Sequence, residues 1–272
     1  MRLSIILPCL NEIRHGYLDR IITNLVAQLV PSNCEKEIIA VVSASNDGTD
    51  LVLDEYARRS PEIKVLRSQA TNRAQRLNDG IAVSTGDIIL LHHPATLLPE
   101  LIALQLIEQT LASGIPSGNS SRNPSGNQWG AFSHSFDFTH WLLHFTSWYS
   151  DNIRVKQKGV VYLDHCPFIN RQVLAAVGNV PDLDIFEDTV LSDRLRQFSK
   201  PLLAQGKVIT SARRFHQRGI YRHAMLNQVL KICYHFNIDP NWLNRLYEQK
   251  ASINVKYGNT LPIKQFENDN EK

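Results

Sequence analysis

The chain has little of what would place it outside the cell or within a bilayer. Its four cysteines, Cys9, Cys34, Cys166 and Cys233, are widely spaced with no Cys-x-x-Cys pair. That spacing argues against a disulfide frame and against a zinc site, and it reads as buried thiols in a reducing cytoplasm. No apolar run reaches the ~20 residues needed to cross a bilayer. The first strand-like run starts at Leu3, leaving no room for a signal peptide, so a soluble cytoplasmic protein is expected. A formal charge of +3 is too mild to mark a nucleic-acid partner. There is no internal repeat. A glycine-rich phosphate loop with a basic residue is also missing after the first strand, where Pro8-Cys-Leu-Asn-Glu-Ile13 stands instead. A nucleotidyltransferase on a similar core would carry such a loop.

What is present is an alternation of strand and helix. With 272 residues, 43% of them hydrophobic, the chain can bury one large α/β core. Leu3–Leu7 is a short apolar run, broken by Pro8, that delivers Asn11 and Glu12 to a strand's C-terminal edge. Glu37–Val42 runs into Ser43-Ala-Ser-Asn-Asp47-Gly-Thr49, a turn that caps a helix starting near Asp50. Ile63–Leu66 leads to Asn72-Arg73-Ala-Gln-Arg-Leu-Asn78, and Asp87–Leu91 ends at His92-His93-Pro94-Ala95-Thr96. The pattern predicts an open, mostly parallel Rossmann-like sheet flanked by helices, with its binding crevice at the strand ends.

Further on, Glu187-Asp188 stands where an irregular segment turns into a helix with apolar Val190, Leu191 and Leu195. Carboxylates in a first turn are favoured by the macrodipole, so a plain helix start also accounts for the pair. Residues 112–128 are rich in glycine, serine and proline and read as a lid or a disordered insert. Phe132–Tyr149 is dense in aromatics, alternating first like a strand and then with helical spacing. Such rings either stack on sugars or fill a core. Tyr221–Phe236 reads as an amphipathic, basic C-terminal helix suited to a peripheral membrane contact. A polar tail occupies residues 249–272.

Taken in order, Ile6-Leu-Pro-Cys-Leu-Asn-Glu12, Ser45-Asn-Asp-Gly-Thr49, Asn72–Gly80, Gly86–Leu91 and Glu187-Asp188 resemble family 2 glycosyltransferases of the GT-A fold. The likeness extends over roughly residues 3–248. Val208–Arg222 and Asn241–Tyr247 are similar to a bacterial, arsenosugar-biosynthesis-type subgroup. The resemblance implies a single GT-A-like domain, with a nucleotide-binding half near 1–110, an acceptor half near 129–248 and a helical C-terminal extension. It implies a nucleotide-sugar donor, a small-molecule or lipid-linked hydroxyl acceptor, and inversion by a single displacement. Asp188, or Glu187 beside it, would be the general base, ionised at neutral pH by its place at a helix start. Pro8, Asn11, Glu12, Ser43, Asp47, Arg73, Asn78 and His93 fall where the family binds the nucleotide sugar. Asp164-His165 falls where relatives place Gly-Asp-Gln near acceptor or sugar.

Two positions depart from the family pattern. Ser43 replaces an aspartate that holds base or ribose, and Ala95 replaces the aspartate that holds Mg²⁺ or Mn²⁺ on the diphosphate. Alanine offers a hard cation no oxygen. His93 is then the one metal candidate, for a softer ion. Arg213 and Arg214 are the expected substitutes on the diphosphate, since a guanidinium fork suits phosphate oxygens. The alternative is a degenerate relative that binds a ligand without turnover. Oligomeric state is open.

Overall fold

The computed structural model describes residues 1–13, 16–32, 34–113, 128–236, 238 and 243. The expected insert lies almost wholly outside the described residues, as does the polar tail.

The four expected strands form β1 (Arg2–Cys9), β2 (Glu35–Val42), β3 (Ile63–Arg67) and β4 (Ile88–Leu91). They pair in parallel in the order β3-β2-β1-β4. Both faces of β1 are covered: Leu3, Ile5, Leu7 and Cys9 enter one apolar cluster and Ile6 enters the other. That two-sided burial is why these strands read as continuous apolar runs. Pro8 does not break β1, which continues to Cys9 opposite Val42. The β1–β4 ladder stops at Ile6 opposite Leu91, so β4 has diverged where the missing N–H of Pro8 would point and no ladder bond is lost.

The helices α1 (Leu18–Val26), α2 (Thr49–Arg59) and α3 (Arg73–Val83) follow the first three strands. The Asn72 side chain caps α3 by accepting from the Gln75 N–H at 2.8 Å. Gly80 is needed where α3 rests on the sheet, because a Cβ there would lie 2.5 Å from an Ile6 methyl. Beyond β4 come β5 (Thr96–Leu97), α4 (Ala103–Ser113), β6 (Trp129–Phe136), α5 (Trp141–Tyr149), β7 (Phe168–Asn170), α6 (Arg171–Ala176), α7 (Glu187–Leu195), β8 (Leu202–Thr210), α8 (Arg213–Arg218) and α9 (Ile220–His235). The second half completes an open sheet of order β3-β2-β1-β4-β7-β6-β8-β5, in which β7 and β5 run antiparallel to their neighbours. The aromatic segment divides as expected into β6 and α5. A π-helical turn, Ser150–Val155, extends α5, and a 3-10 turn covers Leu163–His165.

The C-terminal helix differs from expectation. It is not amphipathic with a basic face, but apolar on two sides. Leu230 packs inward with Leu226 and Cys233, while Tyr221, Met225, Val229, Ile232 and Phe236 are exposed. At 3.6 residues per turn the exposed set falls on one stripe, opposite the stripe of His223, Asn227 and Leu230. Its two strong cations diverge: Arg222 is exposed, whereas Lys231 faces inward toward Tyr162. Among the described residues no helix is long and apolar enough to cross a membrane. Cys9 and Cys166 are buried, but Cys34 and Cys233 are only half-buried, which corrects the expectation of four buried thiols.

Candidate active site

A cavity of about 250 Å³ opens between the sheet end and the C-terminal helices. β4 and its following turn supply His93 and Ala95, and the first turn of α3 supplies Arg73. The first turn of α7 supplies Asp188, the 3-10 turn Asp164, and α8 Arg213 and Arg214. Arg154, Tyr162 and Lys231 line the same space. The backbone leads into it under strain. Phe186, just before the acidic pair, has φ of 66°, a left-handed conformation that costs a bulky side chain roughly 1–3 kcal/mol. Its ring is held against Tyr234, with centroids 4.4 Å apart.

The two acids of α7 have separate environments. Glu187 is buried behind the cavity and ion-paired to Arg73, whose Nε donates to Oε1 at 2.6 Å. Asp188 lines the cavity and accepts the Leu163 N–H at 3.2 Å. Burial first, and the Glu187 charge second, raise the Asp188 carboxyl from an ordinary 3.8 to about 7, with Arg73 opposing. The sequence-based expectation of a carboxylate fully ionised at neutral pH is thereby corrected: desolvation and a like charge outweigh the helix terminus. Asp164 behaves oppositely. Burial pushes it up, but His134, His165 and His93 around it hold it at about 2.

Glu12 is brought beside the arginines, with Arg213 Nη2 3.7 Å from its Oε2. Burial raises its carboxyl to about 7 against the pull of Arg213 and Arg214. The Glu12 N–H donates to Thr49 Oγ1 at 2.8 Å, and that hydroxyl donates to Asp47 at 2.6 Å, fastening the β1 loop to the start of α2. Asn11, at φ 54°, accepts the Asn46 N–H through Oδ1 at 2.9 Å. Asn11 and Asp47 thus lock the two strand-end loops together, and neither lines the cavity; nor does Pro8, within β1. His93 is pushed well below the ordinary imidazole value by burial and then by Arg73 and Arg214, so it is neutral. The Ala95 N–H donates to its Nδ1 at 3.2 Å. The adjacent His92 points away and is fully buried.

Three expected site residues are spent on structure. Ser43 is buried, donating to the Ala70 carbonyl at 2.8 Å and accepting from Arg76 at 3.2 Å. Asn78 donates to the Val180 carbonyl at 2.8 Å and accepts the Val180 N–H at 3.0 Å, pinning the approach to α7. His165 is a core residue held between Ser150 Oγ at 2.7 Å and the Phe132 carbonyl at 2.9 Å. None of the three lines the cavity. Conversely, Arg154, Tyr162 and Lys231 belong to it although no motif marks them. For Lys231 a signal did exist: its spacing places it near the face of His223, Asn227 and Leu230.

The described residues offer no preformed cage for a divalent cation. Ala95 stands at the expected ligand position on the cavity wall, and among the described residues no group of three His, Cys, Asp or Glu converges.

The fold is that of GT-A glycosyltransferases. It is similar to S. aureus TarS 1-349 at TM-score 0.60 and 14% identity, covering 78% of this chain and 61% of that one. The same protein in complex with UDP-GlcNAc matches at TM-score 0.60 and 13% identity, covering 78% and 58%. The mannosyltransferase PcManGT from Pyrobaculum calidifontis, in complex with GDP-Man and Mn²⁺, matches at TM-score 0.58 and 17% identity, covering 93% and 66%. This chain therefore spans about 60% of the length of TarS 1-349. At the level of sequence, residues 4–94 match the family model described as Glycosyl transferase family 2. No curated protein matches.

Proposed function

We propose that the protein is a glycosyltransferase that moves a sugar from a nucleotide-sugar donor to a hydroxyl acceptor with inversion. The observation that carries this reading is Asp188, a half-buried carboxyl facing a cavity that also holds Arg73, Arg213 and Arg214. Asp188 takes the acceptor's hydroxyl proton as the acceptor oxygen bonds to the anomeric carbon. The bond from that carbon to the diphosphate breaks, and the electron pair leaves with the nucleotide. Arg213 and Arg214 stabilise the developing diphosphate charge where a family relative would use a metal. Glu187 is a positioning residue that acts through Arg73. The likeness to structures in complex with UDP-GlcNAc and with GDP-Man supports a nucleotide-sugar donor. The arsenosugar-type subgroup rests on the motif likeness in Val208–Arg222 and Asn241–Tyr247, the latter segment outside the described residues but for Leu243.

Binding without turnover is the second reading, favoured by Ala95 and by a Ser43 locked to Ala70. Calorimetric titration with UDP, GDP and dTDP, each with Mn²⁺, Mg²⁺ or EDTA, tests the first reading. One nucleotide is expected to bind with micromolar affinity that survives EDTA; no binding under any condition overturns it. We also propose a peripheral membrane contact, made by the exposed faces of α5 and α9.

A further inference from the structure

Arg154 and Lys231 approach one ring. The Arg154 guanidinium carbon lies 4.9 Å from the Tyr162 ring centroid, and Lys231 Nζ lies 5.4 Å from it. Arg154 is only 8% exposed and also lies 5.2 Å from the Tyr149 ring. The guanidinium is buried and the ammonium half-buried; so placed the two cations repel one another, and each has given up part of its hydration. Elsewhere on the cavity wall Arg73 is compensated by Glu187 and Arg213 by Glu12. Neither Arg154 nor Lys231 makes a side-chain hydrogen bond or an ion pair with any described residue. The ring interaction recovers less than a buried charge loses in hydration. The mutual repulsion registers on the lysine, where burial first and Arg154 second lower Lys231 to about 7, with Asp164 and Asp188 pulling the other way. Tyr162 is pushed up to about 12 by burial, so its hydroxyl stays protonated and can donate.

Both cations come from the second half of the chain, Arg154 from the π-helical turn and Lys231 from α9. The nucleotide expectations lie instead on the loops after β1, β2 and β3. Asp188 is within electrostatic reach of Arg73 and of Lys231 alike. The base thus has a cation from each half of the chain near it.

We propose that Arg154, Lys231 and the Tyr162 hydroxyl form an oxyanion subsite for the acceptor, so that the hydroxyl compound glycosylated here carries a phosphate or carboxylate group. A guanidinium fork, an ammonium and a phenol supply the donors such a group requires. The acceptor assignment rests on the glycosyltransferase reading; the anion site itself does not.

The test is calorimetric titration of the full chain with inorganic phosphate and, separately, with glycerate. Both are run on the free protein and on protein saturated with whichever of UDP or GDP binds. Phosphate or glycerate is expected to bind the nucleotide-loaded protein, and the preferred probe names the anion class. Lys231→Met and Arg154→Gln are each expected to weaken that binding about tenfold, while nucleotide affinity changes less than about threefold. Competition between phosphate and nucleotide, with both variants losing nucleotide affinity, would assign the two cations to the donor and overturn the proposal. Failure of both probes to bind wild-type protein overturns it without any variant. If no nucleotide binds yet phosphate does, the anion site stands and the glycosyltransferase reading fails.

Discussion

Arg73 and Glu187, 114 positions apart, form a buried ion pair that ties the first turn of α3 to the first turn of α7. The pair gives the two adjacent acids of α7 different surroundings. Glu187 is committed to Arg73, and Asp188 alone of the pair lines the cavity. Asn72 strengthens the same junction by donating to Asp182 at 2.9 Å and to Asp184 at 3.1 Å.

Asp188→Asn removes the proposed proton acceptor and keeps its shape. Transfer is expected to fall roughly 100- to 10,000-fold, the usual worth of a positioned base. Nucleotide affinity is expected to stay within about twofold, because Asp188 acts on the acceptor's proton. Single-turnover assays beside calorimetry separate the two effects. An unchanged rate assigns the base elsewhere.

The Asp188 carboxyl at about 7 sets a pH dependence. Activity should rise with pH through that value as the base loses its proton. Glu187→Gln removes the like charge and should move this limb to lower pH, whereas Arg73→Gln should move it higher. Stability runs the other way. The folded state keeps this proton longer than the unfolded chain, so the Asp188 contribution is fully present near pH 4 and is lost as pH rises through 7. Asp188→Asn should therefore raise Tm relative to wild type at pH 8 but not at pH 4, a difference read by thermal unfolding at both.

Arg214 makes no ion pair among the described residues, so its replacement leaves no described carboxylate stranded. Arg214→Met should weaken nucleotide diphosphate binding about tenfold or more in EDTA, with little change in Tm. Arg213→Met is a different experiment, because it strips the cation from buried Glu12 and should lower Tm as well. Equal nucleotide affinity in wild type and Arg214→Met would place the diphosphate away from α8.

The parallel half of the fold was legible because buried strands are apolar without interruption, and a helix follows each of the first three. β5 and β7 were not, since two or three residues carry no period, and nor was the six-residue π-helical turn that continues α5. Within the site, a motif showed which residues sit at strand ends but not what their side chains touch. Asn78 looks like a ligand residue and is bound to the backbone of Val180, 102 positions away. His165 falls where relatives place acceptor or sugar contacts and is in the core. Arg154 was hidden for the converse reason, and Lys231 showed only its helical spacing: the packing of both on Tyr162 is what makes them a pair.

The exposed side of the C-terminal helices supports the last prediction. Trp141, Phe145 and Trp148 occupy one face of α5 and are 64%, 53% and 54% exposed. Trp141 Nε1 donates to the Tyr221 hydroxyl at 3.2 Å, joining this face to the Tyr221–Met225 stripe of α9. Neither helix contains an aspartate or glutamate. Tryptophan and tyrosine settle at the headgroup level of a bilayer, and an apolar surface without acidic groups is not repelled by anionic lipid. The full chain should co-float with vesicles containing phosphatidylserine, and Trp141→Ser with Trp148→Ser should reduce the bound fraction about tenfold while nucleotide binding persists. Wild-type protein that stays unbound at every lipid composition would refute membrane contact, and self-association lost in the same variant would assign this face to a second copy of the chain.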